Sequence, residues 1–227
     1  MIPIRDENPT ERFPVVTVAL LAVNIIIYAA QFLLGPESRL VVFSLGAVPY
    51  EITHGVSVYR PLYVPTSLTL ITSMFIHGGF LHLAGNMLYL WIFGNNVEDR
   101  MGRWRFMAFY LVCGLAAVFA HIIISPDSRM PMVGASGAIS GILGAYLILF
   151  PRAKVLTVIP IFFMVRVVHL PAVFLIGFWI LLQVINGIVS LKAQGGVAWF
   201  AHIGGFIAGL ALVKLFARRK SKYWLES

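Results

Sequence analysis

Cysteine and acidic residues are the scarcest reactive side chains in this chain of 227 residues. The single cysteine, Cys113, excludes an internal disulfide framework and a metal site built from several cysteines. Only 11% of the residues are charged, against about 25% in an average soluble domain. Hydrophobic residues make up 59% of the chain, and the mean hydropathy is +0.89. Since soluble domains are roughly 45–50% apolar, this composition predicts a protein that folds in a lipid bilayer.

The net charge of +8 reflects seventeen Lys and Arg residues against nine Asp and Glu residues. In a soluble protein this excess would raise the question of a nucleic-acid partner. Here the basic residues lie between the apolar runs and after the last of them, as membrane topology requires. We therefore expect contact with membrane lipid and no nucleic-acid partner.

Six apolar segments are long enough to cross a bilayer, which takes about 20 residues. They are 14–34, 68–94, 104–124, 133–150, 170–191 and 197–216. The connection 35–67 is too polar to span and too apolar for a solvated linker, so we expect it to lie on the bilayer surface. The sequence predicts an all-α, polytopic six-helix bundle over 14–216, with a cytoplasmic segment at 1–13 and a basic cytoplasmic tail at 217–227.

The orientation follows from the Lys and Arg residues on alternate sides of the spans. The N-terminus, the second and fourth loops and the tail hold 13 of them, and the other loops hold 4. This imbalance predicts that both termini are cytoplasmic. Residues 1–12 lack the features of a signal peptide, so we expect the first span to be retained. The compact plan is typical of a prokaryotic plasma membrane protein.

Ser136, His202 and His82 share one predicted depth. Each lies 14 residues before the inner end of its span, and the ends used for this count are Phe150, Phe216 and Asn96. At about 1.5 Å per helical residue, all three lie about 21 Å above the inner boundary. They would therefore lie about 9 Å below the outer surface of a ~30 Å hydrocarbon core.

A serine and a histidine at one depth are suited to nucleophilic catalysis. A neutral serine is a poor nucleophile and needs a base within hydrogen-bond reach. Histidine is the usual base, since its ordinary pKa is about 6.5. We expect Ser136 to be the nucleophile and His202 the general base. All nine acidic residues lie outside the spans or at their ends, so the sequence predicts a dyad without a carboxylate.

Small residues line the two helices that would have to meet. Gly137 and Gly141 are four residues apart on the fourth span, as are Gly205 and Gly209 on the sixth. Rows of this kind let membrane helices touch backbone to backbone. They predict a short contact between the serine and the histidine.

His82 and Asn86 are also four residues apart, so they share one face of the second span. Acyl transfer requires hydrogen-bond donors aimed at the developing oxyanion. We expect these two side chains and the backbone N–H of Ser136 to supply them. A hydrogen-bonded clamp between helices is the alternative role of the two side chains.

The motifs together resemble those of the rhomboid intramembrane serine proteases, over about 13–216 of the chain. The segments similar to the family's motifs are Gly134-Ala135-Ser136-Gly137, His77 to Asn86, and Ala201-His202-Ile203-Gly204-Gly205. The resemblance implies a Ser136–His202 dyad, an oxyanion site with His82 and Asn86, and no metal or organic cofactor. It implies cleavage of single-pass transmembrane proteins near the outer face. Glu98 and Arg100 resemble the family's structural acidic-x-basic pair.

Two positions depart from the family pattern. Leu68 and Thr69 stand where many members carry a Trp-Arg pair that anchors the first loop. Ser140 stands where many carry a tyrosine that packs on the histidine. Other aromatic residues are then expected to support the histidine, and the candidates are Phe206, Trp199 and Phe200.

Three alternatives stay open at this point. The chain could be a catalytically inactive relative that binds transmembrane segments. It could be a small transporter, although it shows no inverted repeat of discontinuous spans. Finally, His77, His82 and His202 could bind a metal, although no nearby carboxylate or cysteine completes the set.

Overall fold

The structure is a computed structural model that describes residues 1–58, 64–161, 164–191 and 197–218. Nine α-helices occur in the described residues: α1 (Val15–Leu33), α2 (Ser38–Leu45), α3 (Pro49–His54), α4 (Thr66–Thr72), α5 (Phe80–Met101), α6 (Arg103–Ile124), α7 (Ser136–Leu149), α8 (Ala172–Ser190) and α9 (Trp199–Phe216). The described strands are β1 (Ile2–Asp6), β2 (Lys154–Ile161) and β3 (Met164–Pro171). Most of the predicted tail, from residue 219 onward, and residues 59–63 of the predicted first loop lie outside the described residues.

Helix α7 lies at the centre of the bundle, between α5, α6 and α9. Ten of its fourteen residues are buried, because its small side chains let the neighbouring helices approach closely. Helices α1 and α8 lie at the periphery, and each buries only five of its nineteen residues. Their exposed sides are apolar, which suits contact with lipid. The predicted membrane helical bundle is therefore confirmed.

The spanning helices differ in length. Among the described residues, α1, α6, α8 and α9 are each long and apolar enough to cross a membrane. Thr66–Phe75 and Phe80–Met101 form a pair bent by 77°, which together would be a fifth span. The central helix α7 is apolar but shorter. A count of six spans stays a prediction, although five of the six predicted segments match one helix to within three residues at either end.

The second predicted segment, 68–94, is not one helix. The chain is helical at α4 and through Ser73–Phe75, is not helical at 76–79, and continues as α5 from Phe80. Gly78 and Gly79 explain the break, because glycine is a poor helix former. Helix α5 then continues to Met101, well beyond the predicted end.

Polar residues that suggested a loop at the end of this segment are satisfied inside the structure. Glu98, on α5, accepts hydrogen bonds from the backbone N–H groups of Val16 and Thr17, at 3.0 and 2.7 Å, and from the Thr17 hydroxyl at 2.8 Å. The carboxylate thus caps the start of α1, where the N–H groups have no partner within the helix. Within the described residues, Glu98 and Arg100 form no ion pair, and Arg100 instead lies 5.8 Å from the centre of the Phe150 ring.

A three-stranded antiparallel sheet, in the order β1-β2-β3, covers the predicted cytoplasmic end of the bundle. Ile2 pairs with Val158, and Lys154 pairs with Pro171. These strands were not expected, since the prediction had only a cytoplasmic segment at 1–13 and a connection between the spans that end at 150 and begin at 170. Four of the five residues from Val155 to Ile159 are β-branched, which was an available strand signal.

The first loop packs on the connection between α6 and α7. Ala47 pairs with Met132 as a β-bridge, and the backbone N–H of Tyr50 donates to Ser128 O at 3.0 Å. The Arg129 guanidinium lies 4.6 Å from the centre of the Tyr50 ring. These contacts anchor the described part of the loop without the Trp-Arg pair. Its position on a bilayer surface stays a prediction.

Candidate active site

Ser136 is the first residue of α7, preceded by a turn that requires glycine. Gly134 has φ of +116°, a conformation that other residues rarely adopt. A Cβ atom at Gly134 would also lie 2.7 Å from the His82 ring. The Gly134 N–H donates to Ser73 O at 2.8 Å and fixes the turn. The serine therefore lies at the start of the helix, fixed by this turn. The predicted start at 133 had placed it inside the helix.

The structure brings Ser136 and His202 together. His202 lies in the first turn of α9, and its Nε2 is 2.8 Å from Ser136 Oγ. Both side chains are partly buried. The geometry allows the serine hydroxyl to donate to an unprotonated Nε2, which is the arrangement that a general base needs.

The predicted glycine rows produce this approach. A Cβ atom at Gly205 would collide with the carbonyl oxygen of Gly137, and one at Gly209 with that of Gly141. Helices α7 and α9 therefore touch backbone to backbone along two turns, where only glycine fits. On the other side of α7, a Cβ atom at Gly137 would meet Ala117 of α6.

The other nitrogen of His202 has a partner that sequence reasoning did not assign. His202 Nδ1 lies 2.8 Å from Oε1 of Gln183, a buried residue of α8. The Gln183 Nε2 group donates to Trp179 O, one helical turn earlier, at 3.0 Å. The sequence offered one signal, because a polar residue within a span is a candidate functional residue.

Two tryptophan rings pack against the histidine. Trp199 lies edge-on with ring centroids 6.2 Å apart, and Trp179 is tilted at 5.9 Å. Trp199 was among the aromatic residues expected to support His202 in place of a tyrosine at 140. The hydroxyl of Ser140 instead donates to Ser136 O at 2.6 Å.

His82 and Asn86 lie beside the turn that precedes the serine. A Cβ atom at Gly134 would lie 2.7 Å from His82 Nε2 and 3.4 Å from Asn86 Nδ2. Asn86 is buried, and its Nδ2 has no hydrogen-bond partner among the described residues. The N–H of Ser136 is at a helix start, where no preceding turn supplies an acceptor. His82, Asn86 and Ser136 line the same cavity, so three potential donors face it.

The equal-depth count was wrong for one of the three residues. His82 lies 19 residues before the end of α5 at Met101, rather than 14 before its inner end. His82, Ser136 and His202 still meet, because each lies within the first four residues of its helix. Their common level is set by where the helices begin, and their depth in a bilayer stays a prediction.

A cavity of about 1570 Å³ joins these groups to the surface. It is lined by His82, Asn86, Ser136 and His202, and by the α6–α7 connection at its mouth. His77 lies behind His82, with ring centroids 5.2 Å apart, and is buried. No group of three or more His, Cys, Asp or Glu side chains in the described part of the chain has the geometry of a metal site. The three histidines considered as a metal site therefore do not form one there.

Comparisons with known proteins agree with this architecture. A family model described as a Rhomboid domain matches residues 65–219. Rhomboid protein 1, mitochondrial, of Saccharomyces cerevisiae is 37% identical over 98 residues, which cover 41% of this chain and 28% of that protein. Rhomboid protease GluP of Bacillus subtilis is 45% identical over 78 residues, which cover 34% of this chain and 15% of that protein.

A longer match joins the chain to presenilin-associated rhomboid-like protein A, mitochondrial, of Danio rerio. The two are 29% identical over 175 residues, covering 70% of this chain and 42% of the relative. The matched parts thus span less than half the length of each of these three relatives. The family model covers more than half of this chain. The chain therefore belongs to the rhomboid family.

Proposed function

We propose that this membrane protein is a serine endopeptidase that cleaves transmembrane proteins within the bilayer. Ser136 is the nucleophile and His202 the general base. The observation that carries the proposal is the 2.8 Å contact between Ser136 Oγ and His202 Nε2, in a cavity enclosed by apolar helices. A packing serine needs no imidazole partner, and a histidine on a spanning helix is rare without a function.

The reaction follows from the positions of these two side chains. As Ser136 Oγ attacks the substrate carbonyl carbon, its proton moves to His202 Nε2. The same nitrogen then donates that proton to the leaving amine, and an ester between the serine and the substrate's acyl part is formed. A water molecule entering through the cavity, deprotonated by His202, hydrolyses the ester and restores the serine.

The negative oxygen that develops on the substrate carbonyl needs donors already in place. His82, Asn86 and the Ser136 N–H lie next to the nucleophile and take this role. The N-terminus of α7 adds the positive end of its helix dipole. The unpartnered Nδ2 group of Asn86 supports the assignment, because a buried donor without an acceptor is otherwise unfavourable.

The substrates are single-pass transmembrane proteins, cleaved near the outer face. An intact helix hides its peptide bonds behind hydrogen bonds and side chains, so the substrate must unwind locally to reach Ser136. Helix-destabilising residues near the scissile bond should therefore favour cleavage.

The test is cleavage of a labelled single-span substrate by purified protein. Wild type should cleave it and react with a fluorophosphonate probe, whereas Ser136→Ala and His202→Ala should lose cleavage by at least about 10³-fold. Ser140→Ala removes a second hydroxyl from α7 and is the matched control, which should stay within a few-fold of wild type. Equal cleavage by wild type and Ser136→Ala would overturn the proposal. Failure of folded wild type to cleave or to react would favour a catalytically inactive binding protein.

We further propose that the protein lies in a prokaryotic plasma membrane with both termini cytoplasmic. The distribution of Lys and Arg supports this orientation. The relatives include proteins named as mitochondrial and one from Bacillus subtilis. Reporter fusions at each terminus test the orientation: a phosphatase active only outside the cell should be inactive at both ends, and activity at either end would contradict it.

A further inference from the structure

Gln183 stands out among the polar residues of the peripheral helices. Helix α8 exposes large apolar side chains such as Phe174 and Ile188, yet Gln183 is only 6% exposed. Its two amide atoms have separate partners, His202 Nδ1 at 2.8 Å and Trp179 O at 3.0 Å. Both ends of a buried amide are thus satisfied, which is what a polar group in an apolar helix requires.

The orientation of this amide follows from its partners. Trp179 O is a carbonyl oxygen and can only accept, so the atom facing it must be the Gln183 NH₂ group. The Gln183 oxygen therefore faces His202. An amide oxygen only accepts, so His202 Nδ1 must carry a proton.

This assignment fixes the state of the other ring nitrogen. A neutral imidazole with a proton on Nδ1 has none on Nε2, and Nε2 is the atom facing Ser136 Oγ. The neighbouring Trp179 and Trp199 rings restrict the tilt of the imidazole but accept no hydrogen bond at Nδ1. Of the described contacts, only the one with Gln183 selects the tautomer in which His202 is a base.

We propose that Gln183 is the positioning residue of the catalytic histidine, holding His202 Nδ1–H so that Nε2 stays free to take the proton of Ser136. This inference rests on the proposed function and extends the predicted dyad by a neutral third member. An amide performs the orienting task that a carboxylate performs in other serine hydrolases. It does so without placing an ionised group within the membrane, where a charge would be costly.

Two substitutions separate this role from packing. Gln183→Leu removes the acceptor at similar volume. It should lower kcat about 10–100-fold, the range typical for loss of a partner that orients a metal-bound histidine, with KM within about 2-fold. Gln183→Glu keeps an acceptor for Nδ1, and when protonated also keeps a donor for Trp179 O. It should stay within about 5-fold of wild type. Asn186→Leu, a change from amide to aliphatic on the same helix, is the matched control and should leave kcat unchanged.

Stability and tautomer are measured alongside turnover. The thermal unfolding midpoint in detergent identifies the variants that fold. If Gln183→Leu does not fold, Gln183→Met is a second variant that lacks the amide. Nitrogen-15 NMR of histidine-labelled protein, with the signal assigned by His202→Ala, should show a proton on Nδ1 in wild type. In a folded Gln183 variant without an acceptor it should show a mixture of tautomers.

The outcomes distinguish the two proposals. If wild type cleaves and Ser136→Ala does not, but folded Gln183→Leu or Gln183→Met keeps kcat within 2-fold, the role of Gln183 is overturned and the protease survives. Equal loss in the Leu and Glu variants also overturns it, since both then act through packing. If wild type neither cleaves nor reacts with the probe, the proposed function fails, and the NMR result still decides whether Gln183 sets the tautomer.

Discussion

The two helices that place side chains next to His202 are held in very different ways. Helix α7, which carries Ser136, buries ten of its fourteen residues, whereas α8, which carries Gln183, buries five of nineteen. A Cβ atom would collide with backbone at Gly209, where α9 meets α7, but would meet nothing within 4 Å at Gly177 of α8. The nucleophile thus stands on a fixed wall formed by α5, α7 and α9, and the proposed orienting group stands on a lipid-facing wall.

The two walls therefore make different contributions to the site. Close backbone contacts between glycines hold α7 and α9 together, because a shift toward each other would cause a collision and a shift apart would lose dense packing. The contact of Gln183 with His202 depends instead on a few side chains between α8 and α9. A small displacement of α8 would therefore change the support of the base while leaving the nucleophile in place.

Among the changes that test this contrast outside the dyad, the largest effect is expected on the fixed wall, at Asn86. Removing one oxyanion donor typically lowers kcat about 10²–10³-fold, so Asn86→Ala should do so with little change in KM. Asn24 is the matched control, because it is buried on α1 and its Nδ2 donates to Leu20 O at 2.7 Å. Asn24→Ala should lower the unfolding midpoint and leave kcat nearly unchanged. A folded Asn86→Ala variant with kcat within 3-fold of wild type would remove Asn86 from the oxyanion site.

A pair of identical substitutions compares the two walls directly. Gly209→Ala places a methyl group against the Gly141 carbonyl and should destabilise the protein by about 1–3 kcal/mol, since backbone cannot rotate away. Gly177→Ala meets open space on α8 and should be neutral or stabilise by up to about 1 kcal/mol, because alanine is the better helix former. Unfolding midpoints in detergent measure both. Similar losses for the two variants would contradict the contrast between the walls.

Much of the fixed wall was predictable from sequence, for a local reason. Glycine spacing within one helix predicts that another helix can approach it closely. A serine and a histidine among such glycines indicate where the two helices bring side chains into contact. The predicted end of the second span at 94 was wrong, because the polar Glu98 beyond it is satisfied by the distant start of α1 and α5 continues to Met101. Burial of Glu98 depends on a partner 81 residues away, which no local pattern reveals.

The lipid-facing wall and the sheet were harder to anticipate. Gln183 is a polar residue within an apolar helix, and nothing in its own neighbourhood identifies His202, on another helix, as its partner. The pairing of β1 with β2 joins residues about 150 positions apart, so a strand signal at 155–159 could not have named its partner. Long-range partners of isolated polar groups are thus what the sequence left undetermined.

The smallest effect is expected where the inner end of α7 meets the sheet. Tyr146 OH donates to Asp6 Oδ2 at 2.8 Å. Burial raises the pKa of Asp6 above its ordinary value of 3.8, although the hydrogen bond from Tyr146 favours the charged form. A carboxyl group whose pKa is raised on folding stabilises the native state below its unfolded pKa, and this contribution is lost as pH rises through the folded pKa.

Asp6→Asn keeps an acceptor for Tyr146 without the charge. At pH 7 the variant should therefore be as stable as wild type, or more stable by less than about 1 kcal/mol because the site is partly exposed. Unfolding midpoints at pH 7, 5.5 and 4 should show wild type gaining on Asp6→Asn as the pH falls. If the unfolding midpoint of Asp6→Asn instead rises relative to that of wild type as the pH falls, the ionised carboxylate stabilises this end of α7. The contact between Tyr146 and Asp6 would then be electrostatic, and the stability of the fixed wall would depend on pH.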